Sequence, residues 1–222
     1  MTYSHLFIDL DDTIYASGNG LWSAIGQRMN QFMVEILALP PEQVPSIRRS
    51  YFEIYGTTLR GLQIHHQVDA DEFLAYVHDL PLREFLHPDP ELGRLLQSLP
   101  QGKWIFTNAD AAHAGRVLSA LGVQDCFDGI IDIRRMDWHC KPEPAAYQQA
   151  LLIAGENRPE RCIILDDAPR NLKTARWMGF YTILVSRHGP DPVAHLTIAT
   201  LKQLPKAMPE LWPAPVSTQR AA

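Results

Sequence analysis

Asp9 and Asp11 stand two residues apart where a short apolar run, Ser4 to Ile8, gives out, and Asp166 and Asp167 close a second run, Cys162 to Leu165. A spacing of two puts both side chains on one side of an extended chain. If the two runs are neighbouring strands, Asp9, Asp11, Asp12, Asp166 and Asp167 crowd one end of a sheet. That many carboxylates cannot all stay ionised in a partly desolvated cleft without a counter-charge. A divalent cation supplies it, and oxygen-only ligands with retained waters and a phosphate partner fit Mg²⁺. Lys141, in a stretch otherwise poor in cations, adds a second positive charge opposite the metal. Thr107 and Asn108 end a third run and directly precede a helix, where a hydroxyl and free backbone N–H groups make an anion seat. Carboxylates, a metal, a lysine and a phosphate cradle together suit phosphoryl transfer through an aspartyl intermediate.

These residues need strands to carry them. Short runs rich in β-branched or aromatic residues recur at Ser4–Ile8, Trp104–Phe106, Gly129–Ile133, Cys162–Leu165 and Tyr181–Val185, and read as buried strands. Between the later ones lie amphipathic helices. Asp89-Pro90 opens one carrying Leu92, Leu95, Leu96 and Leu99, and Asp110 opens one that closes at Gly122. Pro144 opens a third that closes at Gly155, and a fourth runs from Asn171 to Met178 before Gly179. Strands alternating with helices imply an α/β, Rossmann-like doubly wound parallel sheet, with ligands beyond the carboxyl ends of its strands.

One interval breaks the alternation. From Ala16 to His87 no strand pattern occurs, and Trp22, Ile25, Met29, Phe32, Met33 and Ile36 step at helical spacing, as do Val44, Ile47, Tyr51 and Ile54. Asp69 with Glu72 resembles a capping box leading into Phe73 and Val77. The interval is too long for a simple crossover. It reads as a helical domain, residues 16–87, inserted into a discontinuous core of residues 1–15 and 88–222.

The ordered set Asp9-Leu10-Asp11-Asp12-Thr13, Phe106-Thr107-Asn108, Cys140-Lys141-Pro142 and Leu165-Asp166-Asp167 with Asn171 resembles the haloacid dehalogenase (HAD) superfamily. The insert after the first strand resembles its C1-type cap, and the similarity runs from about Ser4 to Trp212. Tyr55-Gly56-Thr57-Thr58-Leu59-Arg60-Gly61-Leu62 is similar to the cap segment of the pyrimidine 5′-nucleotidase subfamily. The resemblance implies a Mg²⁺-dependent phosphomonoesterase acting on nucleoside, especially pyrimidine, 5′-monophosphates. It implies Asp9 as nucleophile and Asp11 as general acid, then base, with a pKa raised by the neighbouring carboxylates. Asp9, the Asp11 carbonyl and Asp166 would ligate the metal, and Asp167 would hold a metal-bound water or orient Lys141. Thr107, the Asn108 N–H and Lys141 would hold the phosphate, and Tyr55 and Arg60 in the cap are candidates to touch the leaving group.

Other readings are weighed beside this one. A dehalogenase of the same fold needs neither a proton donor nor a metal, so Asp11 and Asp166 argue against it. A phosphatase for phosphoglycolate or a sugar phosphate differs only in the cap pocket. A phospho-receiver places its acid pair and its single acceptor differently and lacks a helical insert, and a non-catalytic nucleotide-binding protein has no reason to keep a complete motif set. His65-His66 lack a third ligand at metal spacing, and His113, His139 and His188 carry no motif.

Composition excludes other classes. Of 222 residues, 46% are hydrophobic and 20% charged, ordinary usage for a globular chain. Twenty basic against 25 acidic side chains give a net charge of −5, and no Lys/Arg run exists, which argues against a nucleic-acid partner. No apolar run approaches the roughly 20 residues of a membrane span. The three cysteines lack metal-ligand spacing and read as reduced thiols, and the N-terminus reads as lacking a signal peptide, so a cytoplasmic location is expected. The expected partner is a small phosphorylated metabolite, the expected assembly a monomer or weak homodimer, and Pro213–Ala222 is expected to fray.

Overall fold

In the computed structural model, residues 3–213 are described. The segment expected to fray lies, from Ala214 onward, outside the described residues. Six parallel strands, β1 (His5–Ile8), β2 (Gly102–Phe106), β3 (Gly129–Ile131), β4 (Cys162–Asp166), β5 (Tyr181–Val185) and β6 (Leu196–Ile198), form one sheet in the order β3-β2-β1-β4-β5-β6. The chain builds outward from β1 through β2 to β3, then returns to lay β4 on the other side of β1. That reversal opens a crevice beyond the ends of β1, β2 and β4, the place where doubly wound sheets bind ligands.

Alternation along each strand sets the two faces. Leu6 and Ile8 of β1, Ile105 of β2 and Ile163 and Leu165 of β4 point into one buried cluster, while Phe7, Phe106 and Ile164 point into the other. Strands covered on both faces carry apolar residues at successive positions, which is why the runs are legible in sequence. Residues from α5 (Pro90–Ser98) and α6 (Ala111–Leu121) belong to the first cluster, and residues from α7 (Pro144–Ala154) and α8 (Pro169–Trp177) to the second. The helix starts follow the expected chemistry: the Asp89 carboxylate accepts the Leu92 N–H and that of Asp110 accepts the His113 N–H.

Between β1 and α5 the described chain is helical: α1 (Leu21–Glu35), α2 (Val44–Tyr55), α3 (Thr58–His66), α4 (Ala70–His78) and one short 3₁₀ turn. Phe32 of α1 meets Phe73 of α4 edge to face, ring centroids 5.1 Å apart, and Val44, Leu59 and Leu62 fill in around them. Asp69 caps α4 through the Glu72 N–H, as the capping-box spacing predicts.

Two elements go beyond the sequence expectation. Helix α3 starts at Thr57, whose hydroxyl accepts the Arg60 N–H, but its nine residues carry too short an apolar pattern to stand out. Strand β6 has three residues at the sheet edge and is set by pairing with β5, not by a run of its own. A short helix, α9 (Leu204–Ala207), adds its Leu204 to the first cluster.

Candidate active site

Register decides which acids meet. Ile8 lies opposite Leu165, and the Asp9 N–H donates to the Leu165 carbonyl at 2.9 Å, so Asp9 and Asp166 leave the sheet side by side. On the other flank Ile8 lies opposite Ile105, which brings Thr107 to the same rim. Lys141 reaches between the acids and donates to Asp9 Oδ1 and Asp166 Oδ2, each at 2.7 Å. Its ammonium is buried with them. The loop that carries Lys141 is fixed from β2: the Asn108 amide donates to the Lys141 carbonyl at 2.9 Å and accepts the Lys141 N–H at 2.8 Å. The Asn108 side chain therefore positions Lys141, while its own backbone N–H has no backbone acceptor among the described residues. The Thr107 hydroxyl accepts the Ala109 N–H at 3.0 Å, which leaves its proton free to donate.

Asp166 is held rigidly. The Asn171 amide donates to both its oxygens at 3.0 and 3.1 Å, and the Ala168 N–H donates at 2.9 Å. Asp9 Oδ2 accepts from the Thr13 hydroxyl at 3.0 Å. Asp9, Asp166 and Asp167 each present a carboxylate oxygen within 4.8 Å of the others. Lys141 makes no hydrogen bond to Asp167; its reach is spent on the other two. Burial pushes Asp9 up to about 7 even though Lys141 pulls it down, with Asp166 and Asp11 adding to the rise. Burial, with Asp9 and Asp166 as neighbours, pushes Asp167 up to about 8. Burial alone would lower Lys141, but the charges of Asp166 and Asp9 hold it above the usual lysine range. One ammonium does not offset three acids. The donor set is all oxygen and under-compensated, and it fits a hard divalent cation such as Mg²⁺.

Asp11 lives in different surroundings. The Tyr15 hydroxyl donates to its Oδ1 at 2.6 Å, and His113 Nε2 lies 3.2 Å from the same oxygen. Crowding among acids predicts a raised Asp11; the structure does the reverse. Burial pushes it up, but the hydrogen bonds from His113 and Tyr15 and the nearby His78 outweigh that and bring it below the ordinary carboxylate range. Its carboxylate is satisfied by protein donors, not crowded by the other acids.

His113 is fully buried on the first turn of α6, and its ring stacks on His78 with centroids 4.0 Å apart. His78 Nδ1 lies 2.7 Å from Asp110 Oδ2, and the same Asp110 caps α6. Burial pushes His78 down, against the pull of Asp110, while Asp110 is held well below its usual range by His78 and by the His113 N–H despite its burial. Arg116 also donates to the His78 carbonyl at 2.6 Å, so the end of α4 is tied to α6. No sequence motif marks His78 or His113. A histidine three residues past a helix N-cap, just after Thr107-Asn108, is the one local hint.

A cavity of about 510 Å³ joins the two regions, within the size range of small-molecule sites. Its floor includes Asp9, Asp11, Thr107, Asn108, Lys141 and Asp167, and its roof includes Trp22, Asn30, Arg48, Phe52, Thr58 and Leu59. Tyr55 and Arg60 are not on its wall. The Tyr55 hydroxyl instead lies 2.7 Å from His65 Nε2, and Arg60 faces solvent. The turn between them is nonetheless tight against the floor. Gly56 has φ +88°, and a Cβ there would stand 2.8 Å from Cys140 Sγ and 3.1 Å from the Lys141 carbonyl.

A family model for haloacid dehalogenase-like hydrolases matches residues 3–179. The chain belongs to that family. This HAD-like hydrolase is 29% identical over 187 residues to phosphate metabolism protein 8 of Saccharomyces cerevisiae, covering 78% of the chain and 58% of the yeast protein. It therefore spans little more than half the length of that curated relative. Among solved structures, the HAD-hydrolase YfnB of Bacillus subtilis, bound to magnesium, aligns with a TM-score of 0.64 at 16% identity over 93% of this chain and 98% of that one. A HAD phosphatase from Thermococcus onnurineus aligns with a TM-score of 0.62 at 20% identity, over 92% and 97%. An L-2-haloacid dehalogenase from Xanthobacter autotrophicus aligns with a TM-score of 0.59 at 16% identity, over 93% and 98%. At these identities the structural likeness speaks for the HAD fold. No helix among the described residues of this hydrolase is long and apolar enough to cross a membrane.

Proposed function

We propose that the protein is a Mg²⁺-dependent phosphomonoesterase that hydrolyses nucleoside 5′-monophosphates, pyrimidine ones first, in the cytoplasm, with residues 16–87 serving as a C1-type cap over a core of residues 1–15 and 88–222. The observation that carries the reading is the buried Lys141 ammonium bridging Asp9 and Asp166 at 2.7 Å each, on the floor of the cavity that also holds Thr107 and Asn108. The pyrimidine preference rests on the cap segment Tyr55–Leu62. Three buried free cysteines suit a reducing compartment.

Asp9 attacks phosphorus, forming a carboxylate–phosphorus bond as the bond to the leaving oxygen breaks. Lys141, the Thr107 hydroxyl and the Asn108 N–H hold the phosphoryl oxygens in line with Asp9. Asp11 is ionised at rest. A bound phosphate dianion adds like charge beside it and raises its pKa, so that it gains the proton it then donates to the leaving alkoxide. It next takes a proton from water, which attacks the aspartyl phosphate and frees Asp9. Asp9, Asp166, Asp167 and the Asp11 carbonyl would hold Mg²⁺, which when bound supplies the positive charge that lets a dianion approach this acidic floor. The helical segment shields the floor from bulk water and meets the leaving group.

The test is a panel of phosphate esters assayed with Mg²⁺ and with EDTA. Phosphate release from nucleoside monophosphates at rates above those for ribose 5-phosphate and phosphoglycolate supports the reading. A preference for either small ester moves the substrate to that class, and halide release from 2-chloropropionate without phosphate release overturns the reaction.

A further inference from the structure

The roof of the cavity has a chemical polarity of its own. On α1, Trp22, Gly26, Met29 and Asn30 share one face, α2 lays Arg48 against it, and Phe52, one turn on, lines the same cavity. The guanidinium comes close to the α1 backbone: a Cβ on Gly26 would stand 3.3 Å from Arg48 Nη2. Arg48 Nη1 donates to the Gly26 carbonyl and to Asn30 Oδ1, both at 2.8 Å. A guanidinium has no acceptor, so the Asn30 atom that faces it must be the oxygen. The amide is thereby locked with its NH₂ group turned away from Arg48, on a residue that lines the cavity.

Nothing on the roof offers the opposite polarity strongly. Among the described residues the Arg48 guanidinium meets the Gly26 carbonyl, Asn30 Oδ1 and the Met29 sulfur, and its Nε is buried with no hydrogen-bond partner. Arg49 adds a second cation, Thr57 and Thr58 add hydroxyls, and every carboxylate lining the cavity belongs to the floor. Trp22 and Phe52 are 48% and 45% exposed, large aromatic faces on the wall of a cavity. Phe52 is held in place by Arg170, whose guanidinium lies 4.6 Å from its ring centroid. Flat apolar surface beside fixed donors suits a planar ring whose edge carries acceptors.

We propose that the α1–α2 wall is a leaving-group subsite that selects keto over amino pyrimidines, with Asn30 Nδ2 donating to the carbonyl at ring position 4 and Arg48 fixing the amide that does so. The inference rests on the nucleotide reading above and adds the selectivity. Uracil presents only a carbonyl at the position where cytosine presents an amine, and an amine facing the Asn30 NH₂ leaves two donors unpaired. Sites of this kind discriminate by about tenfold or more. Arg48 acts through Asn30 and is a positioning residue.

The experiment compares kcat/KM for uridine and cytidine 5′-monophosphates, with ribose 5-phosphate as the base-free control, in the wild type, Asn30→Asp and Arg48→Met. A ratio taken within one variant cancels differences in folded fraction. The wild type is expected to favour uridine about tenfold. In Asn30→Asp the atom beyond Arg48 becomes an acceptor, so the ratio falls below one. In Arg48→Met the amide is free to turn over, and the ratio falls toward one. A wild-type ratio at or below one overturns the proposal, as does a ratio unchanged in both variants. If ribose 5-phosphate is consumed as fast as either nucleotide, the nucleotide reading itself fails and takes this subsite with it. Nucleotides that outpace ribose 5-phosphate at a uridine-to-cytidine ratio of one end the selectivity proposal alone.

Discussion

Asp9 and Asp11 leave the same strand two residues apart, yet one is raised to about 7 and the other lowered. Asp9 shares its surroundings with Asp166 and Asp167, and the protein supplies a single ammonium for the three. Asp11 has a hydroxyl and an imidazole to itself. The difference teaches how one cleft serves two kinds of chemistry. A carboxylate cluster left short of positive charge is a place to bind a cation and a phosphate. A carboxylate given its own donors is held in one orientation for proton transfer. Divergent environments for neighbouring acids are a common physical signature of an acid–base pair.

The comparison can be broken most severely at Asp9. Asp9→Asn removes the nucleophile and should lower phosphate release from an aryl phosphate by about 10⁴-fold or more, with no trapped phosphoryl-enzyme. Turnover near the wild-type rate would reassign the nucleophile. Removing the cation comes next: EDTA should bring activity to background, and added Mg²⁺ should restore it, read as phosphate release before and after back-titration. Activity indifferent to EDTA would mean that Lys141 alone suffices.

The Asp11 side breaks differently. His113→Gln should slow an alkyl phosphate by roughly 10²-fold, because general acid catalysis contributes about 10²–10⁴-fold. The burst of p-nitrophenol from p-nitrophenyl phosphate should slow far less, since that leaving group needs no proton. Equal losses with the two substrates would make His113 a packing residue only.

The smallest effect sharpens the contrast through stability. Asp9 and Asp167 have folded pKa values raised from 3.8 to about 7 and about 8. Between about pH 4 and pH 8 the metal-free folded chain then holds more protons than the unfolded one, and stability falls as pH rises. Asp11 and Asp110 are lowered, so their contribution is present above the unfolded carboxylate pKa and is lost as pH falls through and below about 4. In EDTA the urea midpoint should decline from about pH 5 to about pH 8.5, and Mg²⁺ should remove that decline. A midpoint flat with pH in EDTA would show that the acidic cluster is already neutralised by the protein.

Much of this was legible in the chain. Asp89, Asp110 and Asp69 cap helices where their spacing said they would, because a cap is a contact across three residues. The five runs read as strands all pair in the sheet, since a strand buried on both faces is apolar at successive positions. The edge strand β6 and the short helix α3 were not, because three and nine residues give periodicity too little length. The Tyr55–Leu62 segment was marked, but its neighbours Arg48 and Phe52 line the cavity while Tyr55 and Arg60 do not. Which face of α2 looks inward depends on what α1 offers it, and the Gly26 carbonyl and Asn30 Oδ1 are what Arg48 meets there.

Residue types at strand ends, helix caps and apolar alternation follow from the sequence itself, for they are decided by near neighbours along the chain. That Lys141 lies between Asp9 and Asp166, that His113 reaches Asp11 across 102 residues, and that Arg48 turns the amide of Asn30 were decided only when the sheet and helices packed. The reason is physical. Burial and charge–charge distance set these groups' protonation and orientation, and both are properties of folded space, not of separation along the chain.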